Sequence, residues 1–145
     1  MTDPVTVPRR EALAAVCARH GVALCYLFGS QVEGYADARS DWDIGVIFEP
    51  GRLPEYTIDV WLALLEDLET IFPRGRVDLI FLQRAPARIQ NAAIHGLLLY
   101  ARTDRARADF EEDVMRRWMD LRPFIEASER DEAEAIRSGH FIVRP

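Results

Sequence analysis

A chain of 145 residues, 49% hydrophobic and 29% charged, has the length and composition of one globular domain that can bury about two-thirds of its unfolded surface. Its formal charge of −6 argues against general binding to a nucleic-acid backbone, which calls for a basic surface, so no direct nucleic-acid contact is expected. All 18 basic residues are arginine, which excludes a lysine-bearing phosphate loop, a Schiff base and a lysine nucleophile.

The N-terminus, Met1-Thr2-Asp3-Pro4, lacks the basic-then-apolar pattern of a secretory leader. No later stretch reaches the roughly twenty apolar residues that cross a membrane. A cytoplasmic protein without membrane partners is therefore expected. Residues 8–20 carry Leu13, Val16 and Cys17 on one helical face and stop at Gly21. Residues 22–28 form an apolar strand, 30–35 a short helix and 36–40 a loop, and a second strand follows Asp41. Glu49-Pro50-Gly51 turns the chain. From 55 to 72, Ile58, Trp61, Leu62, Leu65, Leu68 and Phe72 recur at helical spacing, and Pro73-Arg74-Gly75 ends that helix. Residues 76–82 read as a third strand, 86–95 as a helix closed by Gly96, and 97–100 as a short strand. Asp104 is placed as the N-cap of a long helix with a stripe of Phe110, Val114, Trp118 and Leu121. Pro123 is expected to break or kink that helix. Residues 126–137 are dense in charge, as a solvated helix or a tail. Trp61 is assigned to the core, and core is also favoured over docking for the Trp118 stripe. Cys17 and Cys25 are too few for a disulfide scaffold and are expected to be reduced and buried. The pattern is one α/β (α+β) unit with a small mixed sheet flanked by helices and a C-terminal helical segment. Its domain runs over 1–122 and a charged extension over 123–145.

The chemistry concentrates at Gly29-Ser30, at Asp41-Trp42-Asp43 and at Asp78 within Val77-Asp78-Leu79-Ile80. Residues two apart on a strand project from the same face, so Asp41 and Asp43 point one way. Asp78 interrupts an apolar run, where a carboxylate is costly unless it meets a ligand or a cleft. Three carboxylates on neighbouring strands repel one another unless cations lie between them, and hard oxygen donors suit Mg²⁺. Two such ions about 3.5–4 Å apart can clamp the attacking and leaving oxygens of an in-line nucleotidyl transfer. Gly29 permits a sharp turn and a close approach to a ligand, and a helix beginning at Ser30 turns free N–H groups and a hydroxyl toward phosphates.

These residues resemble the minimal nucleotidyltransferase (MNT) domain, a compact branch of the DNA polymerase β-like nucleotidyltransferases. The likeness spans roughly residues 10–120. It is carried by Leu27-Phe28-Gly29-Ser30, Ser40-Asp41-Trp42-Asp43, Arg76-Val77-Asp78-Leu79, the segment from Ala85-Pro86 to Leu99-Tyr100, and Arg107-Ala108-Asp109-Phe110-Glu111. All look like the MNT antitoxins of HEPN/MNT toxin–antitoxin pairs. The resemblance implies a polymerase β-like fold and a protein that binds a HEPN ribonuclease toxin. It further implies transfer of AMP from ATP to a tyrosine of that toxin, with two Mg²⁺ ions. Asp41, Asp43 and Asp78 would be the catalytic and metal-holding residues, Asp78 accepting the attacking hydroxyl's proton. Gly29 and Ser30 would hold the β and γ phosphates, with Arg39 beside them. Glu33, just before Gly34, departs from the basic residue that members often carry there. Two alternatives stand beside this reading. One is an antitoxin that neutralises by binding alone, which Glu33 favours; the other is a stand-alone nucleotidyltransferase acting on a small molecule.

Overall fold

The most continuously apolar run of the sequence takes the middle of the sheet. In the computed structural model, which describes residues 5–34, 40–55 and 57–138, strand β1 (Val22–Phe28) is buried along its whole length, as expected of a strand covered on both faces. Helix α1 (Val7–His20) precedes it and ends at Gly21, as predicted. Helix α2 (Ser30–Glu33) follows, then β2 (Trp42–Phe48), α3 (Ile58–Leu68), β3 (Val77–Phe81), a 3-10 turn over Leu82–Arg84, α4 (Ala87–Ile94), β4 (Leu97–Ala101) and α5 (Asp104–Arg137). The strand order is β3-β2-β1-β4. β1 pairs antiparallel with β2 and β4, while β2 and β3 run parallel. This is the small mixed sheet flanked by helices that the sequence predicted.

Strand alternation sorts the side chains into two layers. Cys25, Leu27, Ile44, Val46, Phe48, Leu79 and Phe81 pack with α1 and α3. Leu24, Tyr26, Phe28 and Ile47 pack on the opposite face with residues of α4 and with Phe110 of α5. Cys17 and Cys25 are free and buried. Contact with the Cys17 sulfur, then burial, push the Cys25 thiol well above its ordinary value, so Cys25 stays protonated.

Three details depart from the sequence reading. α3 occupies 58–68 rather than 55–72, and its inward face is rotated. Leu64 and Leu68 are buried and Trp61 and Leu65 half-buried, whereas Ile58 and Leu62 face solvent. Trp61 fixes the rotation by donating its indole N–H to the Leu79 carbonyl at 3.0 Å. The N-cap of α5 is Thr103, whose hydroxyl accepts from the Ala106 N–H at 3.0 Å. Asp104 instead enters the first turn, where its charge favours the helix dipole. Finally, Pro123 lies inside α5 without ending it. Along the predicted stripe of α5, Val114 is buried and Phe110 and Trp118 are half-buried, but Leu121 is exposed, as is Phe124 beyond the stripe. The charged stretch over 126–137 is thus a solvated continuation of the helix, tied back to α4 by the Arg88–Glu129 ion pair at 2.9 Å. At 34 residues the helix is about 50 Å long. Among the described residues no helix is long and apolar enough to cross a membrane.

The junction of α4 and β4 is Gly96. A Cβ there would meet the Leu27 carbonyl oxygen and, at 2.9 Å, the Phe28 Cβ. The end of β1 is therefore pressed from this side by backbone.

Candidate active site

The end of β1 and the starts of β2 and β3 meet at one edge of the sheet. Phe28 is in register with Asp43, and Asp43 with Asp78. Neighbouring strands lie about 4.8 Å apart, so the two carboxylates stand side by side. Both project from the layer that holds Ile47 and Tyr26. Asp41 lies just ahead of β2 and is exposed, as is Asp78; Asp43 is half-buried.

Trp42 anchors the start of β2 on the other layer. Its ring packs on Phe72 with centroids 5.3 Å apart, the Arg9 guanidinium lies 5.9 Å from its centroid, and its backbone N–H donates to the Arg76 carbonyl at 2.6 Å. Trp42 thus pins the start of the strand on one layer while Asp43 projects from the other.

Gly29 is required at its position twice over. Its φ of 75° and ψ of −151° are essentially glycine-only. A Cβ there would also fall on the Asp43 carboxylate. Its carbonyl accepts from the Val32 and Glu33 N–H groups at 3.0 and 3.1 Å, which starts α2 at Ser30. Gln31 then donates its side-chain N–H to the Ser40 carbonyl at 3.2 Å, tying α2 to the approach of β2. The role of Gln31 has no sequence signal short of the fold itself. Arg39, assigned to phosphate, and Tyr35 lie outside the described residues.

The electrostatics are one-signed. Asp43's carboxyl is pushed up to about 6, first by burial, then by the charge of Asp78 and a hydrogen bond with it, and further by the charges of Asp41 and Glu33. Asp43 and Asp78 are thus in direct contact, while Asp41 and Glu33 act on Asp43 through their charge. Among the described residues no three ligand-type side chains converge closely enough to hold an ion as they stand. The donor set nonetheless fits a hard divalent cation. It is all oxygen, its charges repel, and proton sharing between two of its members is what a cation would replace.

Residues 11–105, which contain β1, β2, β3 and all three aspartates, match the profile of the family described as Polymerase beta, Nucleotidyltransferase. The chain belongs to the polymerase beta nucleotidyltransferase family. A search of curated proteins gives no match. Solved structures give several. A chain of a toxin–antitoxin crystal structure with AMP-PNP has a TM-score of 0.68 at 20% identity, over 84% of this chain and 96% of that one. A chain of the structure of a tri-AMPylated HEPN toxin from Shewanella oneidensis in complex with MNT antitoxin has a TM-score of 0.64 at 18% identity, over 86% and 95%. A putative minimal nucleotidyltransferase is 33% identical over 62% of this chain and 87% of its own, with a TM-score of 0.50. At their identities the first two establish a shared fold. Within that fold, the polymerase beta nucleotidyltransferase sheet presents its aspartates where β1, β2 and β3 meet.

Proposed function

We propose that this protein is the antitoxin of a toxin–antitoxin pair, binding a HEPN ribonuclease and transferring AMP from ATP to a tyrosine of that toxin. The observation that carries the reading is the register of Asp43 beside Asp78, with the Gly29 turn against Asp43. The extent of the fold likeness to chains from toxin–antitoxin structures, one with AMP-PNP and one with an AMPylated HEPN toxin, supports the choice of partner and nucleotide. The same assignment makes the protein cytoplasmic, where ATP and Mg²⁺ are supplied.

In this reading Asp41, Asp43 and Asp78 would hold two Mg²⁺ ions. Those ions supply charge neutralisation at the triphosphate and lower the pKa of the attacking hydroxyl. The remaining work falls to the chain. The backbone at Gly29 and the hydroxyl of Ser30 bind the β and γ phosphates, with Arg39 assigned beside them, so that pyrophosphate leaves on that side. The tyrosine oxygen bonds to the α-phosphorus as the bond from that phosphorus to the bridging oxygen breaks, and Asp78 takes the hydroxyl proton. Residues 1–122 carry this chemistry and 123–145 form a charged extension.

Intact mass spectrometry of the partner after incubation with Mg²⁺, ATP and this protein tests the proposal. One or more AMP additions, absent with Asp41→Ala/Asp43→Ala, are expected. A second reading, neutralisation by binding alone, draws on Glu33, whose charge adds to the acid field at Asp43. It predicts a stable complex, no added mass, and neutralisation that survives the double substitution.

A further inference from the structure

Along β3 from Asp78 and over the turn that follows, the surface opens into a groove of about 370 Å³ lined by Ile80, Arg84, Ala85, Pro86 and Ile89. That volume is within the range of sites for small ligands or single side chains. Ile80 lies two residues beyond Asp78 on β3, so it shares the face of Asp78 about 6.6 Å along the strand. Ile80, Ala85 and Ile89 join the packing of the same layer, yet each remains only half-buried. Arg84 donates to the Pro54 carbonyl at 3.0 Å, so the loop ahead of α3 borders the groove.

The sheet order gives this groove a direction. From β1 through β2 to β3 the functional groups run Gly29-Ser30, Asp43, Asp78, and the groove begins on the Asp78 strand, at Ile80. Displacement at phosphorus is in line, with the attacking and leaving oxygens on opposite sides of the reacting centre. If pyrophosphate leaves toward Gly29 and Ser30, the attacking oxygen arrives from the Asp78 side. The acceptor oxygen must therefore lie by Asp78, and the groove, which begins at Ile80 two residues along the same face, is the apolar surface adjoining it. Strand addition to β3 is disfavoured at Leu79, because its carbonyl already accepts from Trp61. Recognition there rests on side-chain burial.

We infer that the groove between β3 and α4, lined by Ile80, Ala85, Pro86 and Ile89, seats an apolar side chain of the partner polypeptide next to its acceptor tyrosine. This rests on the proposed AMP transfer and adds the feature that selects the acceptor. The test measures AMP transfer from Mg²⁺-ATP to the intact partner over a range of partner concentrations, for the wild type, Ile89→Ser and Ala85→Phe. AMP-PNP affinity is determined separately by calorimetry, and a thermal melt accompanies each variant. Ile89→Ser removes the apolar wall, while Ala85→Phe fills the groove and takes away no packing atom. A rise of about tenfold in KM for the partner is expected in both, with AMP-PNP affinity unchanged. Weakened AMP-PNP binding in both variants would assign the groove to the nucleobase and overturn the inference. Unchanged KM in a folded Ala85→Phe would overturn it too. A wild type that adds no AMP removes the proposed transfer and the acceptor groove together, whereas transfer in all three proteins with equal KM removes the groove alone.

Discussion

One face of the sheet carries two carboxylates in opposite circumstances. Glu111 of α5 accepts from the buried Tyr26 hydroxyl at 2.9 Å and from Arg107 Nε at 2.7 Å on the same oxygen. Burial and then this bond to Glu111 raise the Tyr26 hydroxyl above its ordinary value, keeping it a donor. A few residues away across β1 and β2, the Asp43 carboxyl is held up by burial and by the charges of Asp78, Asp41 and Glu33, with no balancing cation among the described residues. The first carboxylate ties α5 to β1 and is satisfied within the chain. The second has no such partner among the described residues. A domain of this size has only about 5–15 kcal/mol of net stability, so an acid cluster that raises the Asp43 carboxyl to about 6 is a cost in keeping with the proposed chemistry.

The contrast can be broken at its acidic end first. Asp43→Asn and Asp78→Asn should each reduce AMP transfer by about 10³-fold, read by intact mass of the partner, while leaving the protein folded. Gly29→Ala should lose transfer and at least about 2 kcal/mol of stability, read by urea unfolding, because it combines a disfavoured backbone with an overlap on Asp43. Glu111→Gln or Tyr26→Phe should cost about 1–2 kcal/mol with the rate of transfer unchanged, which separates the two carboxylates by function.

The sign of the pH response sharpens the same point. Asp43's carboxyl is raised in the folded protein to about 6 from an unfolded value near 3.8. Its penalty is therefore fully present above pH 6 and fades as pH falls toward 4, because the folded state binds the proton more tightly. Without metal, Asp43→Asn should be more stable than the wild type at pH 7.5 by up to about 1 kcal/mol, allowing for solvent screening. The gap should close by about pH 4, and added Mg²⁺ should stabilise only the wild type. The smallest effect belongs to the extension. A chain ending at residue 122 should unfold within about 0.5 kcal/mol of full length, since no residue past Val114 is buried in α5.

How much of this was legible from sequence depended on how local the cause is. The aspartates and Gly29 were legible because turn geometry and strand alternation are properties of adjacent residues. The face of α3 was not. Its sequence, IDVWLALLEDL, is apolar at so many positions that several stripes fit, and the indole bond to Leu79 chooses among them. Thr103 and Asp104 are both good caps one residue apart, and only the backbone decides. The Tyr26–Glu111 bond joins residues 85 apart and leaves no local trace. The groove likewise exists only once the chain after β3 has brought Ala85, Pro86 and Ile89 back beside Ile80.

The last residues of β1 are held between two glycines. Gly29 lies against the Asp43 carboxylate and Gly96 against the Leu27 carbonyl and Phe28. Neither position accepts even a methyl group without displacing backbone or the Asp43 carboxylate. A laboratory selection for new acceptors would therefore find almost no productive diversity at the end of β1. Its variation would have to come from the rim formed by Arg84, Ala85, Pro86 and Ile89, where side chains can change while the distance between the Gly29 turn and the carboxylates stays fixed.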